Sequence, residues 1–110
     1  MKLETKQFIE SFLQDNTYFR RVIIEQKGDR FYFPENQMVD NGYYDFLLQG
    51  LASTDTPDSS YAVVTDNVCL FAIQKAGSAY ICECDTAASL SQVKMEFSMF
   101  VEDVKKQGKV

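Results

Sequence analysis

Residues 61–85 read YAVVTDNVCLFAIQKAGSAYICECD, three runs rich in Val, Ile, Phe, Tyr and Cys parted by two turn dipeptides. β-Branched and aromatic side chains suit a pleated surface, so each run reads as a strand. Asp66-Asn67 and Ala76-Gly77 each supply the two central residues of a hairpin, because Asp, Asn and Gly tolerate the positive φ that such turns need. Two-residue loops set the register. Val64 faces Cys69, Ala62 faces Phe71, Ile73 faces Tyr80, Phe71 faces Cys82 and Cys69 faces Cys84. One sheet face then carries Ala62, Val64, Cys69, Phe71, Ile73, Tyr80, Cys82 and Cys84; the other carries Tyr61, Val63, Val68, Leu70, Ala72 and Ile81. Both faces are apolar, which calls for cover on two sides.

Upstream, Thr5, Phe8, Ile9, Phe12 and Leu13 fall on one arc at helical spacing, which predicts an amphipathic helix over 3–14 ended by Asp15-Asn16. Phe19–Gln26 and Arg30–Phe33 form a hairpin around Gly28-Asp29 in a type II′ turn. Val22, Ile24, Gln26, Phe31 and Phe33 share one face of it, and Arg21, Ile23, Glu25, Lys27, Arg30 and Tyr32 the other. Pro34 closes the second strand, since it has no N–H for a ladder. Asp40 or Asn41 caps a second helix that runs to about Leu51, with Tyr43, Tyr44, Leu47, Leu48 and Leu51 in its stripe and Phe46 off the edge. The stretch STDTPDSS (53–60) is a loop. A last helix begins near Thr86 or Ser89 and runs to Lys106, its core stripe being Leu90, Val93, Phe97, Phe100, Val101 and Val104.

The order α-β-β-α-β-β-β-α predicts one α+β domain over residues 1–110, an antiparallel sheet of about five strands with helices packed on it. This order is similar to that of the roadblock and longin group of small α/β modules. It is loosely similar to the small acidic chaperones of type III secretion systems, which place three strands before the second helix. The resemblance is topological and implies function by analogy alone.

A chain of 110 residues with 45% hydrophobic and 25% charged residues can build a core without staples. Its opening residues carry charges at Lys2, Glu4, Lys6 and Glu10, unlike a signal peptide or a membrane span. The three cysteines are an odd number, and the Cys82-x-Cys84 pair spaces two thiols by roughly 6–7 Å along a strand, poor geometry for a disulfide. A reducing cytoplasm is the expected location. Net charge is −5 and unevenly spread. No Lys or Arg lies between Arg30 and Lys75, whereas Glu35, Asp40, Asp45, Asp55, Asp58 and Asp66 do. Nucleic acid needs clustered cations, so it is not an expected partner.

The sequence contains no His, which removes histidine bases, serine–histidine triads and most zinc or iron sites. It contains no phosphate-binding glycine loop and no nucleophile-elbow string. Cys69, Cys82 and Cys84 converge on one sheet face, where small buried thiols fill a core more readily than they hold a metal. Glu83, Asp85, Glu102 and Asp103 read as solvated surface charge. No catalytic residue, metal or cofactor is expected.

Two features point to partner binding. Met95 and Met99 lie about 160° from Phe97 around the last helix, opposite its core stripe, and methionine suits adaptable contact surfaces. Asp40, Tyr43, Asp45 and Phe46 place aromatic anchors beside a field of carboxylates that would steer a basic protein. The expectation is a non-enzymatic, acidic, cytoplasmic protein-binding module (an adaptor, chaperone or regulator) that forms a homodimer and contacts neither nucleic acid nor membrane. One alternative is an immunity or inhibitor protein neutralising a basic toxin or nuclease. Another is a small-ligand domain or enzyme built on the meander, with a pocket at Tyr32, Tyr61 or Tyr80.

Overall fold

Strand β5 (Ser78–Cys84) lies at the middle of a five-stranded sheet in the computed structural model, between β1 (Phe19–Gln26) and β4 (Cys69–Lys75). Strands β2 (Asp29–Phe33) and β3 (Ser59–Val64) are the edges, giving the order β2-β1-β5-β4-β3 with every neighbouring pair antiparallel. Among the described residues three helices accompany the sheet: α1 (Leu3–Asp15), α2 (Asn41–Ala52) and α3 (Leu90–Gly108). The described residues are 1–34, 41–52, 59–64, 66–67, 69–75 and 77–108, without the side chains of 41, 43, 51, 52 and 108. Element order and α+β class are those expected from the sequence.

The register of the meander is the one its two-residue loops demand, with Val64 opposite Cys69, Phe71 opposite Cys82 and Ile73 opposite Tyr80. Gly77 has a φ of 81°, the left-handed conformation that a primed hairpin turn needs. Ala76 and Val68 lie outside the described residues.

The first hairpin differs by one residue from the expected turn. Its central residues are Lys27 and Gly28, both at positive φ (51° and 85°), so the turn is of type I′ and not a II′ turn at Gly28-Asp29. The glycine fits either form. Type I′ brings Asp29 and Arg30 into the ladder opposite Gln26 and Glu25, and Arg30 Nη2 then donates to Glu25 Oε2 at 3.0 Å. Moving a turn by one residue moves each cross-strand partner by two, so side chains keep their faces. Val22, Ile24 and Phe33 accordingly share a core with Phe31, as expected.

Each helix end has a local cause. Asn16 stops α1 by donating both its backbone N–H and its side-chain amide to the Phe12 carbonyl, at 3.0 and 2.9 Å. Ser89 starts α3: its Oγ accepts from the Gln92 N–H at 3.2 Å and its carbonyl from the Val93 N–H at 3.0 Å. Asp85 instead closes the preceding turn, its Oδ1 accepting from the Ala87 N–H at 3.1 Å.

Two cores flank the sheet. On one face α1 and α3 bury Ile9, Val22, Ile24, Phe71, Cys82, Phe97 and Val101, and Phe12, Phe97 and Phe100 form a stacked aromatic run. On the other, Tyr44 and Leu47 of α2 pack on Ile23, Leu70, Ala72 and Ile81. The second apolar face of the meander is therefore covered from within the chain. Among the described residues no helix is long and apolar enough to cross a membrane.

Candidate functional site

The α2–β3 face combines an exposed aromatic pair with an outermost strand. Tyr44 and Leu47 turn toward the sheet, and the helical step puts Phe46 about 100° from Leu47, toward solvent. Tyr61 projects from β3 on the same sheet face as Val63. Gly50 of α2 lets its ring close in, since an added Cβ there would sit 3.4 Å from Tyr61 Cζ. The Phe46 and Tyr61 rings meet edge to face at 6.4 Å while remaining 56% and 37% exposed. No described segment pairs with the outer side of β3.

One carboxylate of the acidic segment, Asp45, is paired with a cation. Asp45 accepts from Arg30 Nη1 at 3.0 Å, and the same guanidinium binds Glu25 through Nε and Nη2. Arg30 borders the acid-only segment in sequence, yet the hairpin carries it across to α2. Asp40 lies outside the described residues, as do Glu35, Asp55 and Asp58, while Tyr43 is described only as backbone of α2. Of the expected residues on this face, Phe46 meets Tyr61, whereas Asp45 is turned to Arg30. Tyr61 and Arg30 are the additions. Tyr61 could be assigned its face from the meander register, but nothing local shows that β3 is an edge.

On the opposite side of the sheet, Met95 and Met99 of α3 are 59% and 62% exposed, as their helical spacing requires. Met99 borders a groove of about 210 Å³ between α1 and α3, with Phe8, Phe12, Asn16, Glu96, Phe100 and Asp103. Glu96 had no signal in the sequence; its place depends on how α1 lies along α3.

Elsewhere among the described residues, charged side chains form ion pairs at the surface. Asp85 pairs with Arg20 at 3.3 Å, Glu83 with Arg21 at 3.6 Å, and Glu102 with Lys75. A cleft of about 590 Å³ opens where the Lys27-Gly28 turn and Gly77 approach α2, lined by Glu25, Arg30, Asp45, Gln49, Gln74 and Ser78. None of Tyr32, Tyr61 and Tyr80 lines it, and its guanidinium is already held by two carboxylates.

Cys69, Cys82 and Cys84 converge as the register requires, all free and buried, with the Sγ atoms of Cys82 and Cys84 at 3.7 Å. Among the described residues no group of three His, Cys, Asp or Glu is placed to hold a metal. Burial, then the Cys84 thiol, pushes the Cys82 thiol well above its ordinary value, and burial raises Cys69. Thiolate chemistry is suppressed at both. An unfolded chain loses the Cys82 proton once pH passes the ordinary value of 9.0, whereas the native chain retains it. Base therefore favours unfolding. Stability should fall above that pH by about 1.4 kcal/mol per unit for each thiol kept neutral only by the fold. Cys82→Ala should flatten this slope in denaturant titrations from about pH 8 to 10. An identical slope in variant and wild type would contradict the assignment.

Comparison with protein-family models, curated proteins and solved structures returned no match.

Proposed function

We propose that the chain is a small protein-binding module whose α2–β3 face docks a partner protein through non-catalytic contacts. One observation carries the reading: the Phe46–Tyr61 pair, ring against ring yet exposed, at the outermost strand of the sheet. Exposed apolar side chains scattered singly are ordinary, whereas rings in contact at the surface form the contiguous patch that marks contact sites, and aromatic anchors dominate protein interfaces. An outermost strand adds main-chain donors and acceptors that an extended partner segment can use. A basic partner remains the complement of a chain with net charge −5, although Asp45 contributes less to steering because Arg30 neutralises it. The same net charge supports the alternative of an inhibitor of a basic toxin. Homodimerisation through Met95 and Met99 is supported by their exposure. It loses its second motive, because α2 already covers the meander's other face.

Affinity capture from the source cells tests both surfaces in one experiment. Wild type and Met95→Glu/Met99→Glu should retain the same partner, and Phe46→Ser/Tyr61→Ser should lose it, with affinity down about 100-fold or more for two anchors. Equal capture by the aromatic double variant contradicts the docking face. Sedimentation of the same samples should show dimer for wild type and monomer for the methionine variant. A wild-type monomer at high micromolar concentration ends the dimer reading without touching the first.

A further inference from the structure

We propose that the groove between α1 and α3 is a docking site for a lysine or arginine side chain of a partner protein, its apolar stem laid on Phe8, Phe12 and Phe100 and its cationic head at Glu96. This goes beyond the α2–β3 reading, because the groove lies on the opposite face of the sheet. At about 210 Å³ it holds roughly seven water volumes of about 30 Å³ each, room for one long side chain and not for a helix.

Its floor is aromatic. The rings of Phe8 and Phe12 stack on that of Phe100, at 5.8 and 4.2 Å. Ring faces attract cations and bury aliphatic stems, the combination that lysine and arginine present. Glu96 supplies the counter-charge. Its Oε1 accepts from Gln92 Nε2 at 3.1 Å, whereas its Oε2 is buried with no hydrogen-bond partner. A buried carboxylate oxygen left without a donor is unfavourable. It has next to no exposed surface as it stands, so a turn of the Glu96 carboxylate toward the groove is what lets an incoming ammonium or guanidinium supply the donor. Asp103, on the same wall, has no ion-pair partner among the described residues.

The charges nearest the aromatic floor are acidic. By the helical step, Glu4 and Asp15 lie within about 40° of Phe8 around α1, while Lys2 and Lys6 lie about 120–160° from it. Gln92, Glu96, Asp103 and Gln107 fill the arc of α3 between Met99 and Phe100, and Lys94, Lys105 and Lys106 fall outside that arc. An anionic or wholly apolar occupant would leave Glu96 Oε2 unpaired. A cationic side chain with an apolar stem answers both walls and floor.

The methionines report occupancy, since Met99 lines the groove and Met95 does not. Protein labelled at its methionine methyls is titrated with a capped glycine pentapeptide carrying one central arginine, and with its glutamate counterpart. The arginine peptide should move the Met99 methyl and leave Met95 in place, and the glutamate peptide should move neither. Glu96→Gln should weaken the arginine peptide about tenfold without lowering the thermal midpoint, because the Glu96 Oε2 atom makes no hydrogen bond that the substitution could remove. No Met99 shift at millimolar arginine peptide, an equal shift with the glutamate peptide, or unchanged affinity in Glu96→Gln overturns the proposal. So does a shift of Met99 alone, with Met95 in place, that follows protein concentration with no peptide present, which would make a second copy the occupant of the groove. A dimer through the methionine ridge would move both methyls. None of these readouts involves Phe46 or Tyr61, so failure here leaves the α2–β3 face standing.

Discussion

Phe97→Ala should destabilise the protein by about 3–5 kcal/mol, read as a lower urea midpoint at unchanged slope. Phe97 has no exposed surface, and its ring meets Phe19, Phe71 and Phe100 at 6.1, 6.1 and 5.5 Å. It thus ties α3 to β1 and β4 at once. Removing the ring leaves a cavity that two β-strands and a helix cannot collapse around without losing their own contacts. Small domains have about 5–15 kcal/mol in all, so the variant should be folded but close to its threshold. A loss below about 1 kcal/mol would mean that α3 does not seal this face.

Leu47→Ala should cost about 2–5 kcal/mol and tests the other layer. Leu47 is fully buried, and α2 presses it with Tyr44 onto Ile23, Leu70, Ala72 and Ile81. The two substitutions lie in separate cores on opposite faces of the sheet. Their effects should add to within about 0.5 kcal/mol in the double variant. If Leu47→Ala costs nothing, α2 is not the cover of the second face, and the meander needs another.

What could be read from the sequence depended on how local its cause was. The meander register follows from two short loops, and the α3 stripe from Leu90 to Val104 follows from helical periodicity; both agree with the structure. The first hairpin was displaced by one residue because Gly28 satisfies two turn types equally, and the choice shows only in Lys27 at positive φ. Its faces survived, since parity is insensitive to that shift. Long-range placement was not legible. The stripe of α2 was visible, but not which sheet face it covers, because that depends on the path of the chain between β2 and β3. The same holds for Arg30 reaching Asp45 and for Glu96 lying against α1. Tyr61 belonged to a readable strand, yet its exposure comes from β3 being outermost, a property of the strand order alone.

Hydrogen exchange of the protein with and without its purified partner tests the binding face most directly. Amides on the outer side of β3 should exchange quickly in the free protein, and those of α2 around Phe46 more slowly, being hydrogen-bonded within the helix. On partner binding they should slow by about tenfold or more, while those of the central β5 stay protected throughout. Unchanged exchange at residues 59–64 and 44–50, with new protection confined to other segments, would contradict the account.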